Sequence, residues 1–184
     1  MNEKALYASF YERLLSRLID SLIYSMILLM PFVNISMINV FTILLDNISN
    51  YILYFLSVAS LIFFFEIFMI SKFGGTLGKL LMGLRIQHEE GKYLSLKDAF
   101  IRLTLGRAVS GLFFGLGYLW IFRNGKHQAW HDIVNETVVV RKLSHGWLIG
   151  LVILISFIFI DIGIFTGIIS GFIYNLPFYQ ELKF

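Results

Sequence analysis

The sequence has no cysteine, which removes disulfides, thiolate metal sites and cysteine nucleophiles together and leaves the redox compartment open. It is also poor in charge. Charged residues take up 15% of the 184 positions, against about 25% in soluble domains. Apolar residues make up 58% and the mean hydropathy is +0.77, which excludes an ordinary soluble domain and points to an integral membrane protein. A formal charge of +3 is too small to recruit nucleic acid, so no such partner is expected. Nor is a cleavable signal expected: behind MNEKALYASFYERLL the apolar run is too long and lacks a small-residue cleavage site.

What is present is a series of apolar segments. A first span is expected from near Leu14 past Pro31, where proline removes a helical donor and ends the straight section. Asn34 to Asn50 then forms a far-side connection that carries Asp46 but no lysine or arginine. The second span, Tyr51 to Ile70, has 20 residues, roughly 30 Å of helix, and Glu66 lies one turn from its end. The polar region from Ser71 to Lys97 holds Lys72, Lys79, Arg85, Lys92 and Lys97. By the positive-inside rule that region and the amino terminus are cytoplasmic.

Ala99 to Phe122 is apolar enough to span, yet it contains Arg102 and Arg107 and four glycines, Gly106, Gly111, Gly115 and Gly117. A simple crossing would place Arg123, Lys126, Arg141 and Lys142 outside, against the charge rule. GLRIQHEEGKYLSL reads as a β-hairpin turning at EEGK, and TVVVRK as a third strand able to pair with it, which requires both to be on one side. The expectation is therefore a re-entrant helical hairpin over a small cytoplasmic sheet. Trp147 to Tyr174 is a further span by length. Its Gly163, Gly167 and Gly171 form a smooth ridge for packing within the chain or against a second copy, and Asp161 lies deep in the same helix. The fold class expected is an all-α integral membrane protein with three to four transmembrane or re-entrant helices and a small strand element.

Arg13, Arg17 and Asp20 share one helical face at the head of the first span. Each would cost roughly 2.5 to 3.5 kcal/mol at a helix centre, so they must pair or face protein. One reading is a structural salt bridge that seats the helix; the other is part of an ion or proton path. Asp20 and Glu66 should lie at similar depth on neighbouring spans, with Arg13, Arg17, Arg102 and Arg107 available, forming one buried ionic network. Structurally it would lash the spans to the hairpin. Functionally, a carboxylate could exchange a proton against a cation.

Other motifs fail on their spacing. GGTLGK is not a phosphate loop, because Phe73 and Leu80 stand where the Walker pattern needs glycine and Ser or Thr. Its glycines let the chain turn off the second span, and Lys79 meets lipid headgroups or a carboxylate. His127 and His131 stand four apart near Asp132 and Glu136, but no HExxH frame or third histidine supports a metal. With no nucleophile, metal or cofactor pattern, the chain is not expected to be an enzyme and no cofactor is expected.

Three stretches carry a family resemblance: RLLSRLIDSLI; GGTLGKLLMGLRIQHEEGKYLSLKDAFIR; and GLGYLWIFRNGKHQAWHDIVNETVVV. Over about residues 8 to 142 the chain resembles the RDD family of bacterial membrane proteins, named for one arginine and two aspartates. The resemblance places the family arginine at Arg13, with Arg17 as the alternative, and the aspartates at Asp20 and Asp132. Its most specific part is Gly75, Thr76, Leu77, Gly78 and Lys79, followed by Gly83 and Arg85. A departure is Asn135 and Glu136 before Thr137, where the family often reads Ala-Gly. The resemblance implies a multi-pass protein of the bacterial inner membrane, organised as an RDD-type domain over 1–143 with an additional helix and tail over 144–184. Asp161 lies outside the shared region, so the resemblance implies nothing for it.

Two functions follow as expectations. Some members of the family are associated with sodium/proton antiport, so the core would exchange cations or protons, with Asp20 and Glu66 as carriers and Arg13 as counter-ion. About three spans rarely enclose a path alone, so this reading requires a homo-oligomer. The competing reading is a non-transporting scaffold that binds partner proteins or anionic lipid headgroups through its basic cytoplasmic face.

Overall fold

The computed structural model describes residues 7–29 and 48–174; Pro31, Asp46 and most of the expected far-side loop lie outside the described residues. Helix α1, Phe10–Leu29, starts from a capping box in which the Ser9 hydroxyl accepts the Glu12 amide at 3.3 Å and the Glu12 carboxylate accepts the Ser9 amide at 2.8 Å. It buries Glu12, Ser16, Ile19 and Asp20, the helical spacing of a single inward face.

α2, Ile48–Phe73, is followed by the short α3, Leu77–Leu81, and strand β1, Leu84–His88. Next come α4, Leu96–Ile101, a π turn over Arg102–Gly106, α5, Arg107–Leu119, and a 3-10 turn at Trp120–Phe122. α6, Trp130–Val134, strand β2, Thr137–Arg141, and α7, Gly146–Tyr174, complete the described order. Among the described residues, 2 stretches are long and apolar enough to cross a membrane, Ile48–Leu81 and Gly146–Gly171, and Leu96–Phe122 makes up to 3 if its bent halves form one span.

The bend is 98°, between Gly111 and Phe114, where Phe114 and Gly115 take φ of 59° and 84°. The arms touch: a β-carbon on Gly117 would stand 2.6 Å from the Ser110 Cα, so only glycine permits the approach. The segment leaves from β1 and returns to β2, which pair antiparallel from Leu84 opposite Arg141 to His88 opposite Thr137. Departure and return at one sheet is the arrangement that re-entry requires.

The sheet corrects one expectation. EEGK does turn, with the Gly91 amide on the His88 carbonyl at 2.8 Å and the His88 amide on the Lys92 carbonyl at 2.9 Å, but KYLSL does not continue as a strand. The Ile86 amide is already taken by the Gly74 carbonyl at 2.5 Å, so that edge of β1 is occupied. Leu94 turns inward and Ser95 caps α4 instead. The third strand of the sequence reading is β1's direct partner.

The described chain forms two compact units. Unit 1 comprises 1–20 and 63–154 and contains the sheet, α3 to α6 and the ionic groups around them. Unit 2 comprises 21–62 and 155–184, where Tyr54 donates to the Ile27 carbonyl at 3.0 Å and Ser25 donates to Asp161 at 2.9 Å.

Candidate functional site

Four carboxylates are buried in unit 1; Glu12 pairs with Arg141, and Asp132, Glu66 and Asp20 are each held by a different set of donors. Asp132 sits at the third position of α6 and accepts the Ala129 amide at 3.0 Å, half of a capping arrangement. The same oxygen accepts Arg13 Nη1 at 2.5 Å; the other accepts Arg102. Arg13 also donates to the His127 carbonyl at 2.6 Å, and Arg102 to the Thr137 hydroxyl at the start of β2. One aspartate thus ties α1, the π turn, α6 and β2 together.

Burial works to raise the Asp132 pKa, but Arg102 and Arg13 outweigh it and hold the carboxyl far below its ordinary range. His131 moves the same way for another reason. Burial pushes it down to about 3, with Asp132 opposing and Arg102 and Arg13 reinforcing, so the ring is neutral near pH 7. Its Nδ1 lies 2.9 Å from the Ser110 hydroxyl on α5. His127 does not join it as a metal ligand would: its ring nitrogen faces the Ile121 carbonyl at 3.3 Å.

Glu66 on α2 accepts Arg17 at 3.0 Å and Arg107 at 2.7 Å, one on each oxygen. Arg102 and Arg107 are five apart, which α geometry would set about 140° apart around the axis. The π turn between them closes part of that angle. Hence both arginines reach the ionic groups, one to Asp132 and one to Glu66.

Asp20 differs from the expectation of an arginine partner. Its carboxylate accepts the Thr76 hydroxyl at 2.6 Å and the Gly78 amide at 2.7 Å, capping α3 from another helix. Lys79 stands behind, its ammonium 3.5 Å from the Thr76 hydroxyl. Gly78 allows this close seating: a β-carbon there would fall 2.1 Å from the Ser16 carbonyl oxygen on α1. Gly75 is buried beside Lys79 and Leu80, and Gly83, at φ +68°, turns the chain into β1 against Leu143. The single expected network is therefore three sites, with guanidinium groups serving Asp132 and Glu66 and uncharged donors serving Asp20. Asp161 belongs to unit 2 and is half-buried on α7 beside Ser25.

Unit 1 also contains a cavity of about 360 Å³. Arg13, Arg17, Lys79, Arg102 and Arg107 all line it, with Thr76, Tyr118 and His131, and its remaining walls are apolar. The carboxylates do not line it. It can therefore attract an anion and shelter hydrocarbon, the usual blend of a small-molecule site.

Sequence reasoning missed the Glu12–Arg141 pair at 2.7 Å, the Ser110–His131 bond and the anchoring role of Thr137. For Glu12 a signal existed, the Ser9-x-x-Glu12 capping box. The other two depend on long-range packing.

A family model described as RDD family matches residues 7–136, which contain Asp20, Glu66 and Asp132 with Arg13, Arg17, Arg102 and Arg107. An uncharacterised protein, YxaI of Bacillus subtilis (strain 168), is 32% identical over 81 residues, covering 44% of this chain and 52% of that protein. The chain thus spans about half the length of the curated relative it matches. No solved structure matches. With the match extending over most of its length, the chain belongs to the RDD family.

Proposed function

We propose that this protein is a membrane scaffold that holds anionic lipid through its basic cytoplasmic face, its buried ions serving to lock the structure rather than to carry cations. The observation that carries this reading is the engagement of the three carboxylates: both oxygens of Asp132, Glu66 and Asp20 accept donors at hydrogen-bond distance. A carrier must release its partners to exchange, and a pair of guanidinium groups on one buried acid resists release. Charge distribution supports the same conclusion. Fourteen of the fifteen Lys and Arg residues belong to unit 1, against nine of the twelve acids. Lys72, Lys97 and Lys142 are exposed there, as juxtamembrane lysines that meet lipid headgroups should be.

The test is lipid retention. Purified protein exchanged into mixtures of phosphatidylglycerol and phosphatidylcholine should enrich the anionic lipid, and K72Q/K97Q/K142Q should abolish the enrichment. Equal retention of both lipids by the wild type would refute the reading.

A second reading, proton or cation exchange by an oligomer, is favoured by one residue. Asp161 lies mid-helix in α7 with Ser25 on one oxygen, and its other oxygen is buried without a hydrogen-bond partner among the described residues. Sodium-driven pH change in vesicles that disappears in Asp161→Asn would support it; activity unchanged by that substitution would remove it.

A further inference from the structure

We propose that the cationic cavity of unit 1 is a binding site for a phosphate monoester carried on a hydrocarbon tail. The proposal deepens the anionic-lipid reading and rests on it, but it names a second site, inside the fold, that selects one headgroup chemistry.

Three observations lead there. Five cationic side chains line the cavity; with Glu12 matched by Arg141, the acids set against them are Asp20, Glu66 and Asp132, an excess of two positive charges. A phosphate diester carries a single negative charge, whereas a monoester carries about 1.5 to 2 at pH 7 and so balances the excess. Second, the guanidinium groups are only partly used. Arg17 gives one nitrogen to Glu66 and Arg107 gives one, while each guanidinium has about five N–H donors in a fork that fits phosphate oxygens. Third, charge and apolar surface are graded across the cavity. Arg17 and Arg107 have side chains 50% and 34% exposed and form its mouth, whereas Arg13 and Arg102 are 10% and 5% exposed at the inner wall.

The phosphate belongs at the mouth, between Arg17 and Arg107. The tail leaves along Phe10 and Leu14, the latter 44% exposed on α1 and continuous with the apolar surface of that helix. A free phosphate would use the cations but leave those apolar walls unmatched. A diester would leave one positive charge unanswered.

The experiment uses the full chain in phosphatidylcholine nanodiscs doped with either phosphatidic acid, a monoester, or phosphatidylglycerol, a diester. Retained lipid is counted by native mass spectrometry. Phosphatidic acid should be retained at least about tenfold more strongly than phosphatidylglycerol. R17Q/R107Q is made together with E66Q so that no acid is left uncompensated, and it should reduce the two lipids to parity. Phosphorus NMR of the wild-type protein in mixed vesicles needs no variant; selective broadening of the phosphatidic acid line is the expected result. Parity in the wild type, or selectivity that survives R17Q/R107Q/E66Q, would overturn the proposal. Inorganic phosphate that competes on equal terms with phosphatidic acid would overturn the tail and assign the site to a free anion. A protein that prefers phosphatidylglycerol to phosphatidylcholine yet ignores the monoester would refute the cavity site alone. One that selects phosphatidic acid without any phosphatidylglycerol preference would refute the surface reading alone.

Discussion

Arg13 and Asp132, 119 residues apart in sequence, meet at 2.5 Å, and the same arginine also holds the His127 carbonyl. The contact closes the described part of unit 1 from its first helix to its last short one. Arg13→Gln should lower stability by about 3 kcal/mol, because it strips a buried acid of one of two counter-charges. Asp132→Asn alone should be at least as harmful, since Arg13 and Arg102 would both lose their counter-charge and one of the two acceptor oxygens would become a donor. The double variant should lose less than the two single losses added together. Thermal unfolding in detergent across this double-mutant cycle measures the coupling.

Acid should weaken unit 1 before it protonates ordinary carboxylates. His131 falls from 6.5 in the unfolded chain to about 3 in the folded one, so between those values the unfolded chain binds more protons. Stability therefore drops as pH falls through that window. Asp132, also depressed, adds its loss below its ordinary 3.8. Melting curves of His131→Gln should be flatter than the wild type between pH 6.5 and the onset of the Asp132 loss.

Gly78→Ala should destabilise by about 1 to 3 kcal/mol or more, because the new carbon meets a backbone oxygen that cannot turn aside. Gly163→Ala, where a β-carbon meets nothing within 4 Å, should be neutral or better. Melting temperatures of the two variants compare them directly.

Glu136 has φ +50°, a left-handed conformation that glycine adopts without strain. Glu136→Gly should therefore stabilise by about 1 kcal/mol, by relieving a side chain from a region that suits glycine. An unchanged or lower melting temperature would show that the Glu136 side chain contributes more than its backbone costs.

The parts of the structure that were legible in the sequence are those set by local chemistry. Apolar length gave α2 and α7, and the charge rule together with the glycines gave the bent segment between the strands. TVVVR was readable as a strand from its β-branched run. Its pairing with the LRIQH strand was readable too, but the loss of the hairpin's second arm was not, because nothing local signals that Gly74 occupies the Ile86 amide. The arginines and acids were visible as a group, yet their pairing was not. Which guanidinium reaches which carboxylate depends on a π turn that no propensity signals, and on Thr76 and Gly78 reaching Asp20 first. The cavity followed from that pairing and was equally hidden.

The most direct test of the locked carboxylates is flux. Wild-type protein reconstituted in vesicles with an internal pH dye, under an imposed sodium gradient, should give no dye response attributable to Asp20 or Glu66. A response abolished by Asp20→Asn or Glu66→Gln in a folded, correctly inserted variant would contradict it and make those acids carriers.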